Sequence, residues 1–142
     1  MNKHERTCGY QPLRTWPGLC GRQLRFVLLH HSPVARAPHF DLMLELDTDR
    51  KLWDLETPED PTMQQRTGIR WEAHGRHRRR YLRFEGDIGK GRGIVKRIES
   101  GHYTVRGNGN TLRIQLKGVV WNGVFEILRA DRGCYLWVAV TD

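Results

Sequence analysis

The length of its apolar runs constrains this sequence most. From residue 24 onward the runs are short, several alternate in hydropathy, and turn residues close them. In 40–46, Phe40, Leu42, Leu44 and Leu46 fall on one side of a strand, and Asp41, Met43 and Glu45 on the other. Segments 24–31, 51–56, 68–73, 79–85, 93–99, 102–106, 111–117, 119–128 and 134–140 read as further strands. The Gly-Asn-Gly-Asn string at 107–110 is a turn signal ahead of 111–117, and the Pro-rich 57–63 is a loop. No window of about ten residues carries the apolar stripe of a helix. Many short strands and little helix predict an all-β fold, a compact closed or partly open β-barrel of about eight strands.

A chain of 142 residues suits one such domain. Residues 1–22 lack sustained periodicity and read as a flexible N-terminal arm, with the compact domain over 23–142. No run approaches the roughly 18 apolar residues of a membrane helix, and no secretory h-region opens the chain, so the expected address is the cytoplasm. The three cysteines, Cys8, Cys20 and Cys134, form no CxxC pair. Reduced thiols are the expectation, with a partial zinc site of His4, Cys8 and Cys20 as the alternative.

The formal charge of +8, carried mostly by Arg, favours a polyanionic partner, because neutralising phosphates releases their counterions. An Arg-rich solvated surface is the plainer explanation of the same count. Chemistry is concentrated elsewhere. His39 and Asp41 sit two apart in a predicted strand and so share a face, while His31 closes the strand before them. Two imidazoles and a carboxylate suit Mn²⁺, Fe²⁺ or Zn²⁺ and leave positions open for water and a phosphate oxygen. A solvated His-x-Asp pair has the same spacing.

Two further segments bear on phosphate. His74 to Tyr81 contains His77-Arg78-Arg79-Arg80, in which His and Tyr can donate to a phosphoryl oxygen, although alternation keeps the three arginines from facing one ligand. The Gly-rich 86–93 (GDIGKGRG) lacks the order of a mononucleotide loop. It is either a turn carrying Lys90 and Arg92 towards a phosphate or a plain hairpin turn.

The string FVLLHHSPVARAPHFDLMLE at 26–45 resembles the start of the 3′-phosphoesterase module of bacterial end-joining DNA ligases (ligase D), and looks closer still to its stand-alone relatives. YLRFEGDIGKGRG at 81–93, then Val95-Lys96-Arg97-Ile98 and Gly101-His102-Tyr103, match the second half of that pattern. The resemblance covers about 24–140. It implies a β-barrel, a divalent metal, typically manganese, and removal of a 3′-phosphate or terminal ribonucleotide from DNA 3′ ends to leave a 3′-hydroxyl. A separate ligase or polymerase of end joining would be the partner. By the motif match, His31, His39 and Asp41 stand at the metal-ligand positions, and His77 and Tyr81 at the phosphate-contacting His and Tyr. Glu72-Ala73-His74 resembles the lead-in to that histidine, so His74 is the alternative to His77.

The chain departs from the pattern in two places. The 32–38 loop is longer than in the ligase-linked members; His30, next to His31, should point to the opposite strand face. Met43 stands where those members carry a phosphate-contacting Arg, and a thioether donates no hydrogen bond. Arg70, Arg92 and Arg66, in that order, are the candidates to replace it. Two rivals stand beside the enzyme: a non-catalytic nucleic-acid-binding barrel, and a hydrolase of small phosphodiesters.

Overall fold

The computed structural model describes residues 16–17, 21–47, 50–63, 68–108 and 111–140. Among them nine strands form one antiparallel sheet: β1 (Leu24–Ser32), β2 (His39–Glu45), β3 (Lys51–Thr57), β4 (Ile69–Arg78), β5 (Gly86–Asp87), β6 (Ile94–Asn108), β7 (Thr111–Gly118), β8 (Asn122–Asp131) and β9 (Cys134–Ala139). The order β1-β2-β3-β4-β9-β8-β7-β6 closes through a β1–β6 pairing, which makes an eight-stranded barrel, and β5 adds to one end of β6. Closure gives every barrel strand a neighbour on each side. No helix among the described residues is long and apolar enough to cross a membrane.

The predicted alternation fills the barrel. Phe26 and Leu28 of β1, Leu42 and Leu44 of β2, Leu55 of β3, Trp71 of β4 and Trp137 of β9 all enter one buried cluster. Trp16 belongs to it too, at 2% exposure, with its ring 4.7 Å from Trp53 and 4.9 Å from Tyr135. Residue 16 is therefore part of the core rather than of an arm. Burying so large an aromatic outweighs the entropy of fixing its side chain. The remaining residues of 1–22, apart from 17, 21 and 22, lie outside the described residues, and Cys8, Cys20 and His4 with them.

Two strand expectations need correction. Segments 93–99 and 102–106 are one strand, β6, which pairs with β1 over 94–103, with β5 at Ile94 and Val95, and with β7 over 101–108. Segment 79–85 is not a strand. It opens as a 3₁₀ turn, Arg79–Leu82, in which Arg83 and Phe84 both donate to the Arg80 carbonyl. The physical reason is a second apolar surface. Val27, Leu29, Met43, Leu52 and Val95 form a smaller cluster on the opposite faces of their strands, and Tyr81, Leu82, Phe84 and Ile88 cover it. Arg79 pins the turn to β2 through Glu45 at 2.6 Å. The apolar residues of this segment thus face down onto the sheet instead of alternating.

Candidate metal centre

The outer face of β1, β2 and β3 is apolar at one end and polar at the other. Register sets this up. His31 lies opposite His39 in the β1–β2 pair, and Asp41 opposite Glu56 and Met43 opposite Asp54 in the β2–β3 pair. The same parity that sends Val27, Leu29 and Leu52 into the smaller cluster sends His31, His39, Asp41, Asp54 and Glu56 into a cavity of about 220 Å³ beside it.

One ligand atom from each of His31, His39 and Asp41 lies within 4.8 Å of the others. Asp41 Oδ2 is 3.3 Å from His39 Nε2 and 3.6 Å from His31 Nδ1. The far nitrogen of each imidazole faces a backbone carbonyl: His31 Nε2 that of Arg92 at 2.8 Å, His39 Nδ1 that of Ala37 at 3.2 Å. A carbonyl only accepts, so the hydrogen sits on those nitrogens, and Nδ1 of His31 and Nε2 of His39 are the atoms turned to Asp41. Metal-binding histidines are held in this way. His39 and Asp41 are both 4% exposed. Burial opposes ionisation of Asp41, but bonds from His31 and His39 outweigh it and hold its carboxyl well below the usual range. Both histidines are raised in turn, chiefly by Asp41. The donor set fits a divalent metal: two imidazoles and an ionised carboxylate converge, oriented from behind.

His30 points the other way, its ring 4.8 Å from Phe40 on the core-facing side, as alternation requires. His74 and His77 both line the cavity. Three residues apart on a regular strand, they would take opposite faces. The register of β3 on β4 slips between Trp53 and Leu55, so that β4 carries one extra residue there, and Gly75 sits at the slip with φ +85°. This β-bulge restores His77 to the face that His74 already occupies. His77 Nε2 is 3.2 Å from Asp54 Oδ2, and its ring stands edge-on to Tyr81 at 5.9 Å. His74 Nε2 faces Glu72 Oε1 at 2.9 Å and Glu56 Oε1 at 3.6 Å. Met43 is buried in the smaller cluster while touching the cavity wall.

The expected phosphate clamps are scattered. Arg70 lines a different cavity with Glu59, Trp71 and Cys134. Arg66 lies outside the described residues. Segment 86–93 is a hairpin turn, closed by Ile88 N–H on the Gly93 carbonyl at 2.9 Å, with exposed Lys90 at φ 54° in the turn. Arg92 brings its backbone to the site, through His31, while its guanidinium folds back on the carbonyls of Gly89 and Ile88 at 3.3 Å each. Gly93 permits this docking, because a Cβ there would lie 2.1 Å from the Ser32 carbonyl oxygen.

Sequence reasoning passed over Asp54, Glu56 and Arg36. Asp54 and Glu56 repeat the i, i+2 spacing of His39 and Asp41 within a predicted strand, and that was the available signal. Asp54 is 4% exposed, and its Oδ1 has no hydrogen-bond partner. Burial, reinforced by the Asp41 carboxylate and opposed by His77, raises its pKa. Asp54 in turn is the main cause of the raised pKa of His77. Arg36 bonds Glu56 Oε2 at 2.6 Å from the 32–38 loop, where no local pattern announces it.

Compared with known proteins, the chain matches no family model and no curated sequence.

Proposed function

We propose that this chain is a divalent-metal-dependent phosphoesterase that heals DNA 3′ ends in the cytoplasm, removing a 3′-phosphate or a terminal ribonucleotide. The observation that carries the reading is the convergence of His31 Nδ1, His39 Nε2 and Asp41 Oδ2, each imidazole braced by a backbone carbonyl, within reach of the Asp54–His77–Tyr81 group. The resemblance of 26–45 and 81–103 to the ligase D phosphoesterase module supports the same chemistry. His31, His39 and Asp41 would hold the ion, Mn²⁺ by that resemblance. Such an ion supplies Lewis acidity at a phosphoryl oxygen and an acidified water.

The rest falls to the side chains around the cavity. Asp54 raises the pKa of His77 and engages its Nε2, so a proton on Nδ1 is the one that can be given to the leaving oxygen. Tyr81 stands against the same ring and offers its phenolic O–H to the phosphoryl group. Asp54 orients His77 and does not need to meet the substrate. A DNA ligase or polymerase of end joining would take up the resulting 3′-hydroxyl.

The test is incubation with Mn²⁺ and a primer–template ending in a 3′-phosphate or a single 3′-ribonucleotide. Trimming to a 3′-hydroxyl, lost in His39→Ala and Asp41→Ala, is the expected result; no trimming by the unaltered protein overturns it. Burial of Met43, which leaves no donor at that position, favours a second reading as a non-catalytic nucleic-acid-binding barrel. That reading predicts DNA binding that survives both substitutions and no trimming.

A further inference from the structure

A second concavity, of about 250 Å³, opens beside the metal cavity and shares His77 and Tyr81 with it. The two differ sharply in charge. The metal cavity is lined by three carboxylates, Asp41, Asp54 and Glu56. The other is lined by Lys51, Arg76, Arg78, Arg80 and Arg92, with no carboxylate among its described lining residues. β4 ends at Arg78 and the 3₁₀ turn begins at Arg79; Arg78 and Arg80 line this concavity, and Arg79 turns to Glu45. Arg80 lies over the Phe84 ring at 4.3 Å and the Tyr81 ring at 5.4 Å, which fixes its guanidinium without placing an acid against it.

We infer that this basic concavity is a subsite for a second backbone phosphate, so that the substrate class is a polynucleotide end carrying at least two successive phosphates, not a mononucleotide or a small phosphodiester. The inference rests on the phosphoesterase reading for what occupies the metal cavity. Because His77 and Tyr81 wall both spaces, a phosphate in the first brings its chain neighbour to the second. Guanidinium groups suit it, since their planar forks match phosphate oxygens. Contacts of this kind position a strand without reading its bases. The subsite also answers the loss of a donor at Met43: anion binding is carried by the β4 end and the turn after it instead of by β2.

The experiment is fluorescence anisotropy in EDTA with 5′-labelled oligodeoxynucleotides of one to four nucleotides, each ending in a 3′-phosphate. Three proteins are compared: the unaltered chain, a Lys51→Ala/Arg78→Ala variant, and a Lys117→Ala/Arg132→Ala variant that removes equal charge from exposed positions on β7 and after β8. Far-UV circular dichroism checks that all three are folded. The unaltered chain should gain about tenfold in affinity from one nucleotide to two, the size of one charge-assisted contact. Lys51→Ala/Arg78→Ala should lose that gain and lower the log–log salt slope by about 0.7 per phosphate contact removed. The Lys117→Ala/Arg132→Ala protein should keep both. Absence of a gain at the second nucleotide, or an equal loss in both variants, overturns the subsite. Hydrolysis with Mn²⁺ is scored separately: a length gain without trimming sinks the catalytic reading and leaves the subsite standing, and trimming without a length gain does the reverse.

Discussion

Asp54 Oδ2 and His77 Nε2 lie 3.2 Å apart across the β3–β4 pair, and the contact exists because β4 carries one extra residue at Gly75. Were residues 74–77 a regular strand, His74 and His77, three apart, would stand on opposite faces. A left-handed φ of +85° is readily available only to glycine or, at some cost, to Asn and Asp.

Gly75→Val, whose branched side chain resists that φ, should therefore strain the bulge and turn His77 out of the cavity while leaving the barrel closed. The expected result is a fall in Mn²⁺-dependent 3′-end trimming of at least about 100-fold, the lower range for a lost general acid, with strand content unchanged by circular dichroism. Trimming at the original rate would show that the left-handed conformation at Gly75 is not what holds His77 in the cavity.

Asp54→Asn addresses the same pair by charge. Asp54 is the main cause of the raised pKa of His77, so neutralising it should let that pKa fall. The imidazole would then lose its proton at lower pH, and the alkaline limb of the pH–rate profile would move down with it. Titration of the His77 ring by NMR in the metal-free protein measures the shift directly. An unchanged His77 titration would show that the contact does not govern the proton.

Metal binding is measurable without any substrate. A ligand bound only by the folded state at 100 times its dissociation constant stabilises by about 2.7 kcal/mol, which raises Tm by several degrees in a domain of this size. Mn²⁺ should do so for the unaltered protein and not for His39→Ala or Asp41→Ala. An equal rise in all three would place the ion elsewhere.

Glu99 offers a stability test remote from the site. Its carboxylate accepts backbone N–H bonds from Ser100, Val119, Val120 and Trp121, at 3.0, 2.9, 2.7 and 2.6 Å, and thereby holds the turn between β7 and β8. Burial works against ionisation, but these four donors outweigh it and lower the pKa. A lowered folded pKa means stability that is fully present above the unfolded glutamate value of 4.5 and lost as pH falls through the folded one. Glu99→Gln should cost about 2–3 kcal/mol in urea unfolding at pH 7 and flatten the acid side of the stability curve. A cost below about 0.5 kcal/mol would mean that the turn holds without the charge.

Local pattern was enough for the barrel. Period-two alternation in β2 and short apolar runs between turns specify strands that must bury one face, and closure is how so many antiparallel strands do so. His39 and Asp41 were legible as a same-face pair for the same reason, and His30 as facing away. What the sequence left open needed distances between strands. The register of β1 on β2 and of β2 on β3 brings His31, Asp54 and Glu56 to His39 and Asp41, and register is a tertiary quantity. The run through Tyr81, Leu82 and Phe84 looked like a strand because a covering segment and a strand share their apolar residues; only the second buried cluster tells them apart. Trp16 lies in a stretch without periodicity, and the core, not the local pattern, claims it. The choice between His74 and His77 dissolved at the Gly75 bulge, which puts both in the cavity by breaking the alternation from which any sequence argument must start.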